Sequence, residues 1–500
     1  MKKRLRYVLW GFALLLGELP GVGQPGVGQP VVKPLAAQSE AMMLQPAIAE
    51  SVLQPKITVG VESLITGSNG LPFWLSHNRY GRYTQTGTAI GYAEACLTGG
   101  QSLRRLTLTY EAGIEAITAR TGSDLKLHLV ARVHNRWLLL QAGTLREPMA
   151  YNGLSSTNGN LVRSVNFRPY PAIALSTNGY LPLGITNNRV QISAEYREGV
   201  LNDNRMVAHA RLHHKSLYAK YNPHPNAGAG LTFTAGIDHF VMWGGRSERQ
   251  GRLPQGFSDY LRYITGSKGD EGFVEGDQIN VAGNQLGAYH LGASKSGRNF
   301  VLQLYLSHPF EDRSGMELDN WRDNLYGIFL QRHKPNALLR SVLYEYTHTK
   351  QQSGASHNTT GPKKERMRGL DNYFNHGLYR SGFSYQGYGM GTPLIGPLLY
   401  DKSGRSIGFS NNRIAAHHLG AEGALGKALS WRAMATYSRN FMCYATPPPE
   451  KYRQQLSALA AVSWQTPLKN WRLTGRIAAD RGALLPRAWG ASLTVQRTCK

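Results

Sequence analysis

Leu125-Lys126-Leu127-His128-Leu129-Val130-Ala131-Arg132-Val133-His134 sets Leu125, Leu127, Leu129, Ala131 and Val133 against Lys126, His128, Arg132 and His134. Successive side chains of a β-strand point to opposite faces, so this strip has one apolar face and one polar face. The pattern recurs. Trp431, Ala433, Ala435 and Tyr437 interleave with Arg432, Thr436 and Ser438, and Trp489, Ala491, Leu493 and Val495 with Gly490, Ser492, Thr494 and Gln496. Repeated strips of about ten residues with this period are what a closed barrel needs to stand in lipid around a polar interior.

The start of the chain supports export. Lys2, Lys3, Arg4 and Arg6 precede a short apolar run over 7–16, which Glu18, Pro20 and several glycines end. That is the charge order of a signal peptide, and the run falls short of the roughly 20 residues a helix needs to span a bilayer. Cleavage is expected near Leu35-Ala36-Ala37. Residues 1–37 therefore read as signal peptide and flexible leader, with the pentapeptide Gly21-Val22-Gly23-Gln24-Pro25 duplicated directly after itself. No later stretch is apolar over a spanning length, which leaves a soluble exported protein or a barrel.

Composition favours the barrel. Tyr (26) outnumbers Phe (14), with 9 Trp and 56 Gly, a mixture suited to aromatic girdles and close-packed strands. A mean hydropathy of −0.35 excludes a helical membrane protein but suits strands that are apolar on one side only. No Pro/Ser-rich linker divides 38–500, so the expectation is one all-β domain: a transmembrane antiparallel β-barrel, with chain enough for some 18 to 20 strands at roughly 23 to 25 residues per strand and connection. His134-Asn135-Arg136-Trp137 reads as a tight turn, as does His213-His214-Lys215-Ser216 between 206–212 and 217–221. Polar excursions over 266–283, 307–324 and 350–371 read as long loops, the last holding Lys363, Lys364, Glu365, Arg366 and Arg368. The segment 257–264 breaks the alternation and reads as a short helix with Ser258 as N-cap and Leu261 and Ile264 three apart.

Cys96, Cys443 and Cys499 are too few and too scattered for a disulfide framework and match no zinc spacing. The formal net charge is +25, from 56 Lys+Arg against 31 Asp+Glu. In an exported chain this points away from nucleic acid and toward lipopolysaccharide phosphates and acidic polysaccharides.

Between the strips stand longer motifs: Pro72-Phe73-Trp74-Leu75-Ser76-His77-Asn78-Arg79-Tyr80-Gly81, Val241-Met242-Trp243-Gly244-Gly245-Arg246-Ser247, and Gly283-Asn284-Gln285-Leu286-Gly287. Then come Leu318-Asp319-Asn320-Trp321-Arg322-Asp323-Asn324-Leu325-Tyr326-Gly327, Leu343-Tyr344-Glu345-Tyr346-Thr347-His348-Thr349, Asp371-Asn372-Tyr373-Phe374-Asn375-His376-Gly377 and Asn411-Asn412-Arg413. Taken together, from about Pro72 to Asn440, they resemble the Wzi-like capsule assembly family of outer-membrane proteins, in particular its members from the Bacteroidetes. The resemblance implies a barrel in the outer membrane of a Gram-negative bacterium, 18-stranded with short periplasmic helices, that holds capsular or other surface polysaccharide in a lectin-like way. It implies no cofactor. The partners it implies are acidic surface polysaccharide, lipopolysaccharide and outer-membrane lipid, and the barrel-insertion machinery during assembly; the protein is expected to be a monomer.

Sugar recognition combines stacking of pyranose faces on aromatic rings with hydrogen bonds from Asn, Asp and Arg to hydroxyls and carboxylates. Two clusters supply both: Trp243, Arg246, Arg249 and Arg252, and Asp319, Asn320, Trp321, Arg322 and Asp323. The competing reading gives the tryptophans to packing or a membrane girdle and the arginines to salt bridges in the lumen. His-Glu-x-x-His, Gly-x-Ser-x-Gly and Walker motifs are absent, so no catalysis and no metal are expected. Asp270, Glu271, Glu275 and Asp277 read as a solvated loop in preference to a Ca²⁺ site. The rival functions are a porin for anionic solutes, which would conduct ions, and a barrel hydrolase of lipid or glycan. The binding function expects a plugged lumen.

Overall fold

Eighteen antiparallel strands close on themselves in the computed structural model, which describes residues 54–499 except 68–69, 84–87, 121, 227–229 and 356–368. The leader expected over 1–37 and the basic cluster at 363–368 lie outside the described residues. The strands are β1 (Lys56–Thr66), β2 (Ala89–Leu103), β3 (Leu106–Ala119), β4 (Gly122–His134), β5 (Leu138–Thr144), β6 (Pro171–Thr177), β7 (Val190–Val200), β8 (Arg211–Tyr221) and β9 (Gly230–Trp243). They continue as β10 (Asn284–Ser296), β11 (Phe300–Phe310), β12 (Asn324–Arg332), β13 (Ser341–His348), β14 (Ile414–Ala424), β15 (Leu429–Asn440), β16 (Arg453–Gln465), β17 (Trp471–Gly482) and β18 (Ala488–Cys499). Each pairs with the next in sequence, and β1 pairs with β18 from Ile57 opposite Cys499 to Thr66 opposite Gly490. Closure leaves no unpaired edge, the condition for strands to cross a bilayer.

The alternation maps onto this wall inside out. On β4, Leu125, Leu127 and Leu129 are 63%, 67% and 60% exposed, whereas His128 is 3% exposed. The apolar set faces the lipid and the polar set faces the lumen. Trp489 and Leu493 of β18 likewise point outward, with Ser492 buried between them.

The two ends differ. Connections at the end holding both described termini are short, the longest being 178–189. Those at the other end run up to 349–413. Outer-membrane barrels carry short turns on the periplasmic side and longer loops outside, which orients the protein. The helices α1 (Phe73–Ser76), α2 (Phe257–Thr265), α3 (Glu275–Ile279) and α4 (Arg313–Met316) all sit in the long loops. The α-helices of the described residues thus stand at the outer end, and the expected short periplasmic helix is reduced to one 3-10 turn, Gly184–Thr186, in the connection 178–189.

Two local expectations are also corrected. The N-cap of α2 is Gly256, whose N–H donates to the Asp259 carboxylate at 2.8 Å, and Ser258 lies one position inside the helix. His213-His214-Lys215-Ser216 is no turn but the middle of β8. His214 faces the lumen, and the carboxylates of Glu195 and Asp238 bracket its ring nitrogens at 2.9 and 2.8 Å. His213 faces outward to Glu198 at 2.6 Å, and the Lys215 ammonium donates to the carbonyl of Ile264 in α2. This stretch of wall can be polar on both faces because α2 covers its outer side.

Candidate functional site

Three long loops fold back into the barrel. The loop 145–170 reaches across to β13, where Glu345 (0% exposed) accepts from the hydroxyls of Ser155 (2.5 Å), Ser156 (2.5 Å), Thr157 (3.1 Å) and Tyr305 (2.7 Å), and from the Ser156 N–H (2.8 Å). On the opposite side Arg163 pairs with Glu147 at 2.6 Å and Glu195 at 3.2 Å, while Arg197 pairs with the same two carboxylates at 2.7 and 3.0 Å. Arg146 and Arg168 both reach Glu115 of β3, at 2.7 and 3.1 Å. Each charge of this network faces an opposite charge or a donor, which is the condition for carrying charge into a buried interior, although the Nε atoms of Arg146 and Arg197 have no hydrogen-bond partner.

The loops also lock onto each other. Ser164 donates to the Gly391 carbonyl at 2.5 Å, Asn166 to Gly389 at 3.0 Å, and the Thr392 N–H to Leu161 at 2.9 Å. The loop between β1 and β2 joins through Gly81, whose N–H donates to the Asn166 carbonyl at 2.9 Å, and through Arg79, paired with Glu62 of β1 at 2.7 Å. Between these polar anchors the middle of the lumen is filled with side chains. Tyr151 stacks on Tyr305 at 4.5 Å, and Leu154, Leu161, Tyr373 and Phe383 are each at most 1% exposed.

At the outer end a cleft of about 1280 Å³ opens between the loop 349–413 and the connections 201–210, 244–283 and 311–323. Arg249, Lys268, Arg313 and Arg380 line it together with Glu248, Glu275, Asp277, Glu311, Asp312 and Asp371. It is therefore a site of mixed charge within a strongly cationic protein. Burial and the neighbouring Asp312 push the Asp371 carboxyl up to about 7, against hydrogen bonds from Ser353 (2.6 Å) and Ser314 (3.0 Å) that hold it down. Burial likewise raises Asp277 to about 6, partly offset by the Gly283 N–H at 2.9 Å. Near neutral pH Asp371 can both donate and accept, as a sugar hydroxyl does, while Asp277 is mainly an acceptor. Among the described residues no group of His, Cys, Asp and Glu is arranged to hold a metal ion.

The residues singled out from sequence fall into different environments. Trp243 ends β9 on the outer wall, 5% exposed beneath α2, with Tyr260 at 4.8 Å and the Arg211 guanidinium 4.7 Å from its ring. It packs and has no free face for a ligand. Arg246 and Arg252 are exposed and directly opposed in a three-stranded sheet of the outer loops, and the exposed Arg249 reaches the cleft. In the second cluster Asn320 and Asp323 are fully buried. Asn320 donates to Pro309 at 2.7 Å, and Asp323 accepts from the N–H groups of Gln351 and Gln352 at 2.8 and 2.6 Å and from Tyr373 at 3.0 Å. Their polar groups anchor the loop 349–413. Asp319 is half-buried, while Trp321 (37% exposed) and Arg322 stand at the surface, guanidinium 5.1 Å from the ring. The two clusters thus leave Arg246, Arg249, Arg252, Trp321 and Arg322 open to solvent. Sequence reading missed Glu345, Glu147 and Arg163, which hold the plug, and the carboxyls of the cleft floor. The one available signal was a carboxylate inside an otherwise apolar strand, Leu343-Tyr344-Glu345-Tyr346.

This fold, oriented by its loops, is that of an outer-membrane β-barrel of a Gram-negative bacterium. No family model and no curated protein matches the chain. Among solved structures it is similar to Wzi of Escherichia coli, an outer-membrane protein involved in group 1 capsule assembly and a carbohydrate-binding β-barrel. That likeness has a TM-score of 0.54 at 14% identity and covers 89% of this chain and 85% of the other. It is also similar to two Pseudomonas aeruginosa proteins. These are OprD, at TM-score 0.48 and 7% identity over 90% and 96% of the chains, and OccK5 (OpdH), at 0.47 and 11% over 89% and 98%. At these identities the likeness is one of fold.

Proposed function

We propose that this barrel is a Wzi-like, non-catalytic protein that binds or organises capsular or other surface polysaccharide at the cell face. The observation that carries this reading is the interlocked plug. A barrel whose middle is filled by three loops cross-braced through buried carboxylates is built to present its outer loops in a fixed arrangement, not to pass solutes. Glycan would lie in the outer cleft, with Arg249 in its lining and the exposed pair Arg246 and Arg252 of the same loop meeting anionic groups and Asp277 and Asp371 meeting hydroxyls. Trp321 with Arg322 beside it offers a stacking face for a pyranose ring.

Deleting the gene tests this directly. The expected result is loss of cell-attached polysaccharide with secreted polysaccharide maintained; unchanged surface polysaccharide overturns the proposal. Purified protein in planar bilayers should not conduct, whereas steady anion-selective conductance would establish the porin alternative. Release of a cleaved lipid or glycan by the purified protein would establish the hydrolase.

A further inference from the structure

The eight short connections, 104–105, 135–137, 178–189, 222–229, 297–299, 333–340, 425–428 and 466–470, contain no Asp or Glu. They contain Arg104, Arg105, Arg136, Arg189, Arg298, Lys334, Arg340, Lys427 and Lys469. Every carboxylate of the connections lies at the other end of the barrel. Arg340 is paired with Glu422 at 2.5 Å. The other eight are exposed and have no carboxylate partner among the described residues. Arg104 even occupies the tight β2–β3 hairpin at φ +52°, a left-handed conformation that Gly or Asn adopts with less strain.

The same rim carries an aromatic belt. Trp137 stands in the β4–β5 turn and Trp431, Trp464 and Trp471 at the matching ends of β15, β16 and β17. Trp137 and Trp464 are 45% and 41% exposed. The Arg136 guanidinium lies 4.1 Å from the Trp137 ring and that of Arg497 5.3 Å from Trp471. Tryptophan at this position marks the boundary between acyl chains and headgroups, so cations stacked on it are level with lipid phosphates.

We propose that the short-turn rim is a collar that binds anionic phospholipid headgroups of the leaflet it stands in. The cations are strung around the perimeter and interleaved with lipid-facing tryptophans. They are not gathered into a groove that one extended polymer or one protein face would fill, and the anionic surface that surrounds a perimeter is the leaflet. This inference is independent of the glycan reading, which concerns the opposite end.

The test uses the full-length protein in bilayers of phosphatidylcholine containing phosphatidylglycerol as the anionic probe, with retained lipids counted by native mass spectrometry. Attraction of a basic residue to an anionic surface corresponds to about fivefold enrichment for each engaged cation, and it weakens with salt. The expected result is retention of phosphatidylglycerol over phosphatidylcholine, lost when Arg104, Arg105, Arg136, Arg189, Arg298, Lys334, Lys427 and Lys469 are all replaced by Gln. Replacing Arg246, Arg249 and Arg252 by Gln should leave the preference intact. Equal retention of both lipids by the unmodified protein overturns the proposal without recourse to any variant. So does a preference that survives the rim substitutions in barrels that migrate as folded. If the rim substitutions instead abolish binding of soluble polygalacturonate and leave lipid retention unchanged, the collar serves a soluble polyanion and the proposal is wrong.

Discussion

Ser156 donates both its backbone N–H and its hydroxyl to Glu345, at 2.8 and 2.5 Å, fastening the loop between β5 and β6 to the far wall of the barrel. Replacing Glu345 by Ala strands the donors of Ser155, Ser156, Thr157 and Tyr305 in a buried setting, and breaking one side of a buried charged cluster costs about 3–5 kcal/mol. Glu345→Ala should therefore lower the temperature at which the barrel loses its folded migration on a gel. It should also give the protein a fluctuating conductance in planar bilayers. A variant as stable and as silent as the parent would mean that the plug does not depend on this anchor.

Trp243 and Trp321 should respond in opposite ways. Trp243 is packed beneath α2, so Trp243→Ala should destabilise the barrel by about 3–5 kcal/mol. Trp321 is a surface ring, and Trp321→Ala should leave stability within about 0.5 kcal/mol while weakening retention of surface polysaccharide. Thermal melts alongside a polysaccharide co-sedimentation assay separate the two.

The cleft floor predicts a pH dependence. Asp371 titrates near 7 in the folded protein because of burial and of Asp312, against an ordinary value of 3.8. The folded state thus holds this proton more tightly than the unfolded state, and its contribution to stability is present at low pH and lost as pH rises from about 4 through 7. The melting temperature should fall across that range and level off above it, and Asp371→Asn should flatten the slope. Over the same interval the floor gains negative charge, so binding of an acidic glycan should be tighter at pH 6 than at pH 8.

Gly236 on β9 leaves room for Tyr218, whose hydroxyl donates to Asp238. A Cβ at this position would lie 1.8 Å from the ring. Gly236→Val expels Tyr218 and removes one partner of Asp238, which His214 and His290 also bracket at 2.8 and 3.1 Å. The cost should exceed the 1–3 kcal/mol of ordinary overpacking. It should show as reduced yield of heat-resistant barrel, and Gly236→Ala should be the milder of the two.

The barrel was legible in the sequence because lipid imposes a strict rule on the outer wall, and strips such as 125–134 obey it. The rule lapses where protein replaces lipid as the neighbour. His213-His214-Lys215 looked like a turn because its outer face is polar, and only the presence of α2 makes that face tolerable. The clusters around Trp243 and Asp319 were visible as residue types suited to a glycan. A residue type does not reveal whether its polar atoms are already spent, and those of Asn320 and Asp323 are used to anchor a loop. The sequence leaves open whether the lumen is plugged or conducting, and nothing in it marks the parts of the plug. Its contacts join residues such as Ser155 and Glu345, far apart in the chain, with no period to announce them.

The seam between β1 and β18 carries a further consequence, for the order of events in biogenesis. Residue 57 has its partner only when residue 499 has been delivered, so the first strand keeps a bare row of amides and carbonyls through the making of the other seventeen. Such an edge invites pairing with any passing strand. The last dozen residues are therefore a latch: a chain truncated before Ala488 retains most of its sheet but has no way to finish a circle. Nicked or prematurely ended copies should accumulate as adhesive open sheets, not as smaller barrels.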